Sequence, residues 1–300
     1  MENKKAYTID VSHSIIDHLL DTSKQFRVNS WDFKEWLHGE TIIQKTGILS
    51  KELEVFFDLF HRILRGQGFV IINLAFLLDK YSESDAAPIC TYLLSTLGSP
   101  FRVFKKHPGH WRKLGVDLKR PANRSGGVGI SPLHLDFVNA ANPPDIVCLL
   151  AIRHDPALGG RSIVSSFDGI EKMLSPKHVQ ILSMSKFSDG VVIELNGIGQ
   201  DINPFPVLNF NSLWKYRFTG NLLSSEADEV TQKALREMLH ILESRKITFL
   251  LERGQMLILN QHRVLHGREP LGYGQKDIPE NKRRLLLQSF VRTNDFYNSN

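Results

Sequence analysis

The sequence predicts a mainly β chain with flanking helices, an α+β protein built around a jelly roll. Three observations predict it. Short apolar runs separated by Pro, Gly, Asn and Asp clusters follow one another from about residue 130 to 292, the pattern of short strands joined by turns. Helical periodicities lie before and between those runs, which places the helices outside the strands. No repeat, low-complexity tract or linker divides the 300 residues, so one domain over 1–300 is expected.

The elements follow in order. Residues 1–60 form an N-terminal extension. Leu53, Val55, Phe56, Phe57, Leu59, Phe60, Ile63 and Leu64 recur at helical spacing across 51–65. Arg65-Gly66-Gln67-Gly68 closes that helix, and Phe69-Val70-Ile71-Ile72 reads as a buried strand. A second helix over 85–97 stops at Gly98-Ser99-Pro100. Residues 105–124 turn basic, Gly-containing and aperiodic, so a lid loop is expected over 105–125. Strands are expected at 130–137, 145–152, 161–166, 190–195, 206–210 and 214–219. A helical insertion over 224–245 interrupts them. Ser225 with Asp228 makes its capping-box start, and Val230, Ala234, Leu235, Met238, Leu239 and Leu242 make its apolar face. Strands resume at 247–252, 255–260 and 284–292.

Composition bounds the partners. Apolar content of 42% and charged content of 23% are ordinary for a globular chain. A net charge of +5, from 37 basic and 32 acidic residues, is a weak argument for nucleic acid. Cys90 and Cys148 both sit in apolar runs, which predicts two buried free thiols in a reducing compartment, a disulfide being the alternative. No apolar stretch follows Met1-Glu2-Asn3-Lys4-Lys5, so no signal peptide is expected. The longest apolar run, Phe69 to Leu78, is broken by Asn73 and is too short to span a bilayer. A cytoplasmic protein is expected, with neither membrane nor nucleic acid as its partner.

Two distant segments carry the chemistry. Pro132-Leu133-His134-Leu135-Asp136 holds a His-x-Asp pair. On a strand, residues two apart share a face, so His134 and Asp136 offer a nitrogen and an oxygen to one point while Leu135 faces away. About 130 residues on, Asn260-Gln261-His262-Arg263-Val264-Leu265-His266-Gly267-Arg268 supplies a further histidine. His134, Asp136 and His266 together have the composition of a two-histidine, one-carboxylate facial triad, which holds non-haem Fe(II) and leaves coordination positions open. His262 competes with His266, since four residues would place both on one face of a helix. No His-Glu-x-x-His pattern accompanies them, which favours His262 as a rim residue.

These segments resemble a family. Pro132-Leu133-His134-x-Asp136, Pro143-Pro144-Asp145, Gly159-Gly160-Arg161-Ser162, the distal turn Asn260-x-x-Arg263-Val264-Leu265-His266-Gly267-Arg268 and the strand Arg283-Arg284-Leu285-Leu286-Leu287-Gln288-Ser289-Phe290 are similar to the core of the Fe(II)/2-oxoglutarate-dependent oxygenases. The branch is that of taurine dioxygenase and clavaminate synthase, and the likeness covers roughly residues 60–292. It implies a double-stranded β-helix core, as in cupins, with Fe(II), 2-oxoglutarate and O₂ as cofactor and co-substrates. It implies His134, Asp136 and His266 as iron ligands and Arg284 as partner of the distal carboxylate of 2-oxoglutarate, because a guanidinium fork matches a carboxylate. Arg283 is the alternative, but two adjacent strand residues cannot both face inward. Ser162 stands where the family has a threonine, and its hydroxyl can donate to the same carboxylate.

Two departures from the family matter. Gln288 lies four residues after Arg284, where many members carry an arginine for the acidic group of the substrate. Seventeen residues separate His266 from Arg284, and they include the polar stretch 272–282, expected at the barrel rim. The aspartate at 136 sets this chain apart from halogenating relatives, which lack that carboxylate, and implies hydroxylation, desaturation or cyclisation.

Other candidates surround the triad. Phe137 and Asn139 follow the His-x-Asp pair as pocket residues. Arg217, within Trp214-Lys215-Tyr216-Arg217-Phe218, could contact a substrate carboxylate in place of an arginine at 288, or face outward from an edge strand. Lys105, Lys106, Arg112, Lys113, Lys119, Arg120 and Arg124 are opposed by Asp117 alone. They read as a basic lid attracting an anionic or zwitterionic substrate and 2-oxoglutarate, with a nucleic-acid strip as the weaker reading. His107, His154, His178 and His240 have no partner spacing. The resemblance implies a small, amino-acid-like substrate hydroxylated with release of succinate and CO₂. An inactive cupin-like binding protein and a zinc hydrolase are the alternatives.

Overall fold

Residues 6–23, 51–100, 102–104, 109–189, 202–224 and 228–293 are described by a computed structural model. They form a mixed sheet, a smaller second sheet and six helices among the described residues. The strands are β1 (Thr8–Asp10), β2 (Phe69–Asn73), β3 (Gly98–Pro100), β4 (Arg112–Gly115), β5 (Ser131–His134), β6 (Ile146–Arg153), β7 (Ser162–Ser166), β8 (Ile247–Phe249), β9 (Gln255–Asn260), β10 (Val264–Arg268) and β11 (Leu285–Thr293). The helices are α1 (His13–Ser23), α2 (Lys51–Gln67), α3 (Ala75–Lys80), α4 (Glu83–Ser95), α5 (Pro176–Leu182) and α6 (Glu229–Ser244).

The larger sheet runs β1-β2-β9-β6-β11-β3, with β4 also pairing β11. β1 is parallel to β2, and the other pairings of this sheet are antiparallel. The smaller sheet runs β5-β10-β7-β8 and is antiparallel. Strand alternation explains the layering. Val70, Ile72, Ile146, Cys148, Leu150, Met256 and Ile258 face one way, onto α1, α2 and α4. Phe69, Ile71, Val147, Leu149, Leu257, Leu259, Leu286 and Phe290 face the other way, onto Val164, Phe249 and Val264 of the smaller sheet. That sheet turns Leu133, Ile163 and Leu265 outward onto Ala234, Leu235, Met238 and Leu242 of α6. The order is helices, large sheet, small sheet, helix. α2 anchors the first layer through Phe56, Phe60 and Leu64, and each such large apolar side chain stabilises by about 1.5–3 kcal/mol when fully buried.

Several expectations need correction. Residues 190–195 lie outside the described residues, as do Ser225, 24–50 of the N-terminal extension and 105–108 of the basic segment. Asp228 is the N-cap of α6, its carboxylate accepting from Thr231 N–H at 3.0 Å. The runs 206–210 and 214–219 make isolated bridges rather than strands, Leu208 with Tyr216 and Thr219 with His134. Pro204 precedes the first of these and Pro206 opens it, and both remove donors that a ladder needs. The basic segment holds β4, paired with Leu285–Gln288 of β11. Its alternation of half-buried Arg112 and Leu114 with exposed Lys113 and Gly115 was hidden by charge. Cys90 and Cys148 are buried free thiols. No helix of the described residues is long and apolar enough to cross a membrane.

Candidate metal centre

β5 and β10 bring two distant histidines together. In their antiparallel register His134 lies opposite His266. Gly267 permits the approach, because a Cβ there would sit 2.8 Å from the Ser131 carbonyl oxygen. Val264, His266 and Arg268 share the face of β10 that looks between the sheets, while Leu265 packs outward. Asp136 comes from just past the end of β5, where the chain turns through Phe137 at φ 60°. A bulky residue in the left-handed region is strained, and such strain collects at sites that need a particular geometry.

The donor atoms of His134, Asp136 and His266 all lie within 4.8 Å of one another. His134 Nε2 is 3.4 Å from Asp136 Oδ1, and His266 Nε2 is 3.7 Å from Oδ2. His134 Nδ1–H donates to the Pro132 carbonyl at 2.8 Å, which leaves Nε2 as the lone-pair nitrogen aimed at the cluster. Two uncharged groups hold the aspartate. The Gln288 amide donates to Oδ2 at 3.1 Å, and the Asp136 backbone N–H donates to Gln261 Oε1 at 2.7 Å. Gln261 is itself fixed through its own amide to the Pro144 carbonyl.

Electrostatics fit a cation at this point. Burial pulls the His266 imidazole down to about 4, with His134 adding to the effect, so it is a neutral ligand near pH 7. Burial disfavours charge on both His134 and Asp136. For His134 the hydrogen bond and charge of Asp136 outweigh it and the imidazole rises, while for Asp136 the charge of His266, then the hydrogen bond and charge of His134, outweigh it and the carboxyl falls. A carboxylate between two imidazole nitrogens is a donor set suited to a first-row divalent ion such as Fe(II).

Beside the cluster opens a cavity of about 600 Å³ lined by His134, Asp136, Phe137, Asn139, Gln288 and Phe290 together with Phe104, Arg112, Arg120 and Arg124. Phe137 packs edge-on against Phe104 and Phe290, with ring centroids 5.7 and 5.4 Å apart. Arg284 and Ser162 are not in this lining. Arg284 precedes β11 in the phase of Leu286, Gln288 and Phe290, all on its inner face. Its stem lies over Gly160, where a Cβ would meet Arg284 Cδ at 3.4 Å and Leu271 Cδ2 at 2.7 Å. Burial, with Arg268 nearby, pulls the Arg284 guanidinium down to about 9, Asp155 only partly opposing. No hydrogen bond or ion pair holds that guanidinium among the described residues. Ser162 is buried opposite Arg268 in the β7–β10 register.

Other candidates fall elsewhere. His262 donates to Asp145 at 2.7 Å and stacks on Trp214 at 3.9 Å between centroids, so it is tied into the scaffold and outside the cluster. Arg217 is buried, and its terminal nitrogens donate to the carbonyls of Val138, Ala140 and Ala141. It clamps the turn after Asp136 and does not line the cavity, which corrects its expected role. Gln288 lines the cavity but holds Asp136, a role its spacing did not suggest. Arg283 donates to the Ile278 carbonyl at the rim, which leaves Arg284 as the inward residue. His178 is hydrogen-bonded to Glu237 away from the cavity. Gln261 was missed as a site residue, and Arg112 was read only as part of a basic lid. Gln261 sits inside the distal-histidine motif, and Arg112 was one charge among seven.

No family model matches the sequence, and no curated protein sequence matches it. Solved structures do match. One is asparagine oxygenase in complex with Fe(II), 2S,3S-3-hydroxyasparagine and succinate, at 16% identity over 95% of this chain and 93% of that one, with a TM-score of 0.70. Another is the non-heme iron oxygenase OrfP in complex with Fe, succinate and (3S)-hydroxy-L-Arg, at 14% identity, 96% and 94% coverage and a TM-score of 0.71. OrfP in complex with Fe and alpha-ketoglutaric acid matches at 13% identity, 97% and 95% coverage and a TM-score of 0.69. This chain shares the fold of those oxygenases. The likeness runs nearly end to end, so the oxygenase fold accounts for the helical layers as well as the sheets.

Proposed function

We propose that this chain is an Fe(II)- and 2-oxoglutarate-dependent dioxygenase that hydroxylates a free amino acid or similar small polar metabolite. The observation that carries the reading is the convergence of His134, Asp136 and His266 within 4.8 Å beside a cavity, on a fold shared with iron oxygenases. In this reading the facing sheets are the two halves of a double-stranded β-helix, and residues 1–300 are one cytoplasmic oxygenase domain. Within the expected lid, β4 belongs to the large sheet and residues 116–125 form the lid over the cavity, and α6 is a helical insertion.

His134, Asp136 and His266 would hold the iron, and Arg284 with Ser162 would hold the distal carboxylate of 2-oxoglutarate. Bound iron supplies the oxidation of a C–H bond by O₂, coupled to conversion of 2-oxoglutarate to succinate and CO₂. The protein's own part is positioning. The Pro132 carbonyl fixes the tautomer of His134, and Gln288 and Gln261 hold Asp136 in place. Phe104, Phe137 and Phe290 form an apolar wall that keeps water from the oxidised carbon. An unpartnered guanidinium beside a second arginine favours a dicarboxylate, because the co-substrate supplies the missing countercharge. This feature favours the oxygenase over a zinc hydrolase on the same ligands, which has no use for it. Desaturation or cyclisation would use the same residues.

The test is spectroscopic. Fe(II) and 2-oxoglutarate added under nitrogen should give a weak visible charge-transfer band, lost in Asp136→Ala and His266→Ala. A missing band in the wild type, or one that survives both substitutions, sinks the reading. Succinate release across a panel of L-amino acids then identifies the substrate.

A further inference from the structure

On β11 no positive charge faces the cavity at position 288. Gln288 stands there, and its amide is committed to Asp136. The charge is found on the next strand. β4 pairs with β11 so that Arg112 lies directly opposite Gln288. The alternation of β4 turns Arg112 and Leu114 inward and leaves Lys113 and Gly115 exposed. The Arg112 guanidinium carbon sits 4.3 Å from the centroid of the Phe104 ring, a stacking that holds a planar cation in place. Phe104 in turn packs on Phe137, so arginine, aromatic wall and metal cluster line one cavity.

Arg112 has no committed partner. Among the described residues its guanidinium makes no hydrogen bond and no ion pair, and Asp136 feels its charge only at longer range. Arg120, which lines the same cavity, is by contrast held by Asp117 and by the Ser125 carbonyl. A half-buried guanidinium, fixed by a ring and short of an anion, is preorganised for a carboxylate and loses little freedom in binding one.

We propose that Arg112 anchors the carboxylate of the substrate, a small carboxylic acid of the amino-acid class. The charge that orients it thus comes from β4 rather than from β11. This inference rests on the oxygenase reading of the site. It adds to that reading which end of the substrate is fixed and from which side of the cavity.

The experiment compares wild type, Arg112→Gln and Arg112→Lys, each loaded anaerobically with Fe(II) and 2-oxoglutarate. Each is titrated with the common L-amino acids and with their primary amides, and perturbation of the charge-transfer band is the readout. Free acids that perturb the wild-type band should need roughly 10- to 100-fold higher concentration in Arg112→Gln, the loss expected for charge-assisted hydrogen bonds. The matching amides should move by less than about threefold, since they carry no charge to lose. Arg112→Lys should fall between, and it carries the comparison if Arg112→Gln does not fold. Equal loss for acid and amide, or no loss, overturns the assignment. A wild-type band that no acid perturbs also overturns it while sparing the co-substrate reading. A wild type with no band defeats both.

Discussion

Arg284→Met separates a binding arginine from a structural one. The side chain keeps its length and apolar stem and loses its charge. Arg284 makes no hydrogen bond among the described residues and lies near Arg268, so the folded chain loses little with the charge. Stability should change by less than about 1 kcal/mol, and a rise is allowed, because an unpaired buried charge is unfavourable. Co-substrate binding should behave differently. A forked pair to carboxylate is two charge-assisted bonds of about 1.5–3 kcal/mol each, so their loss should raise the KM for 2-oxoglutarate by roughly 100-fold at the low end and roughly 20,000-fold at the high end. Arg268→Met is the control. Arg268 donates to the carbonyls of Glu269, Gly127 and Gly129. Losing those bonds leaves buried acceptors unpaired, at about 3–5 kcal/mol. For a chain of 300 residues, at about 2.1 cal/mol/K per residue, that lowers Tm by roughly 5–8 °C. The assay pairs thermal unfolding with succinate release against 2-oxoglutarate concentration. A Tm loss in Arg284→Met equal to that in Arg268→Met, or an unchanged KM, refutes the reasoning.

Two further outcomes follow from local geometry. Gly160→Ala puts a Cβ at φ 67°, 2.7 Å from Leu271 Cδ2 and 3.4 Å from Arg284 Cδ. The backbone alone costs about 1–2 kcal/mol, so Tm should fall, and the displaced Arg284 stem should raise the KM for 2-oxoglutarate. An unmoved KM would show that Gly160 does not shape the arginine. His61, packed between Phe57 and Phe60, is pulled by burial, with Arg65 adding, from 6.5 down to about 4. The unfolded chain therefore binds the proton first. Stability is full above pH 6.5 and is lost as pH falls toward 4, by up to about 3 kcal/mol. His61→Gln should flatten that part of a denaturation series measured against pH, and an unchanged slope would remove His61 as the cause.

The readable and unreadable parts of this chain divide on physical grounds. Period-two and period-3.6 patterns located β2, β6, β9, α2 and α6 because each element buries one whole face, and burial leaves its mark residue by residue. The three clustered residues His134, Asp136 and His266 were legible because each lies in a short local motif. β4 was not legible, since its charges mask its alternation and its partner lies about 170 residues away. Arg217 was misjudged, and the bond from Gln288 to Asp136 went unseen, for one shared reason. Whether a polar side chain meets a ligand or a neighbouring backbone depends on which loop folds against it. Nothing near Arg217 in the sequence points to the carbonyls of residues 138–141.

The pairing of His134 with His266 across β5 and β10 also bears on how such a chain can change length. The two histidines are joined by register, and the chain between them only has to return to the same strand. Residues 137–263 can therefore gain or lose loops without disturbing the donors, as long as both strands keep their phase. One residue inserted between Ser131 and His134 would reverse which side chains face inward, turning a histidine toward α6 and a leucine toward the cavity. Scanning single-residue insertions should thus divide the chain sharply, with tolerance in the loops of the long excursion and loss of metal binding within a few positions of either strand.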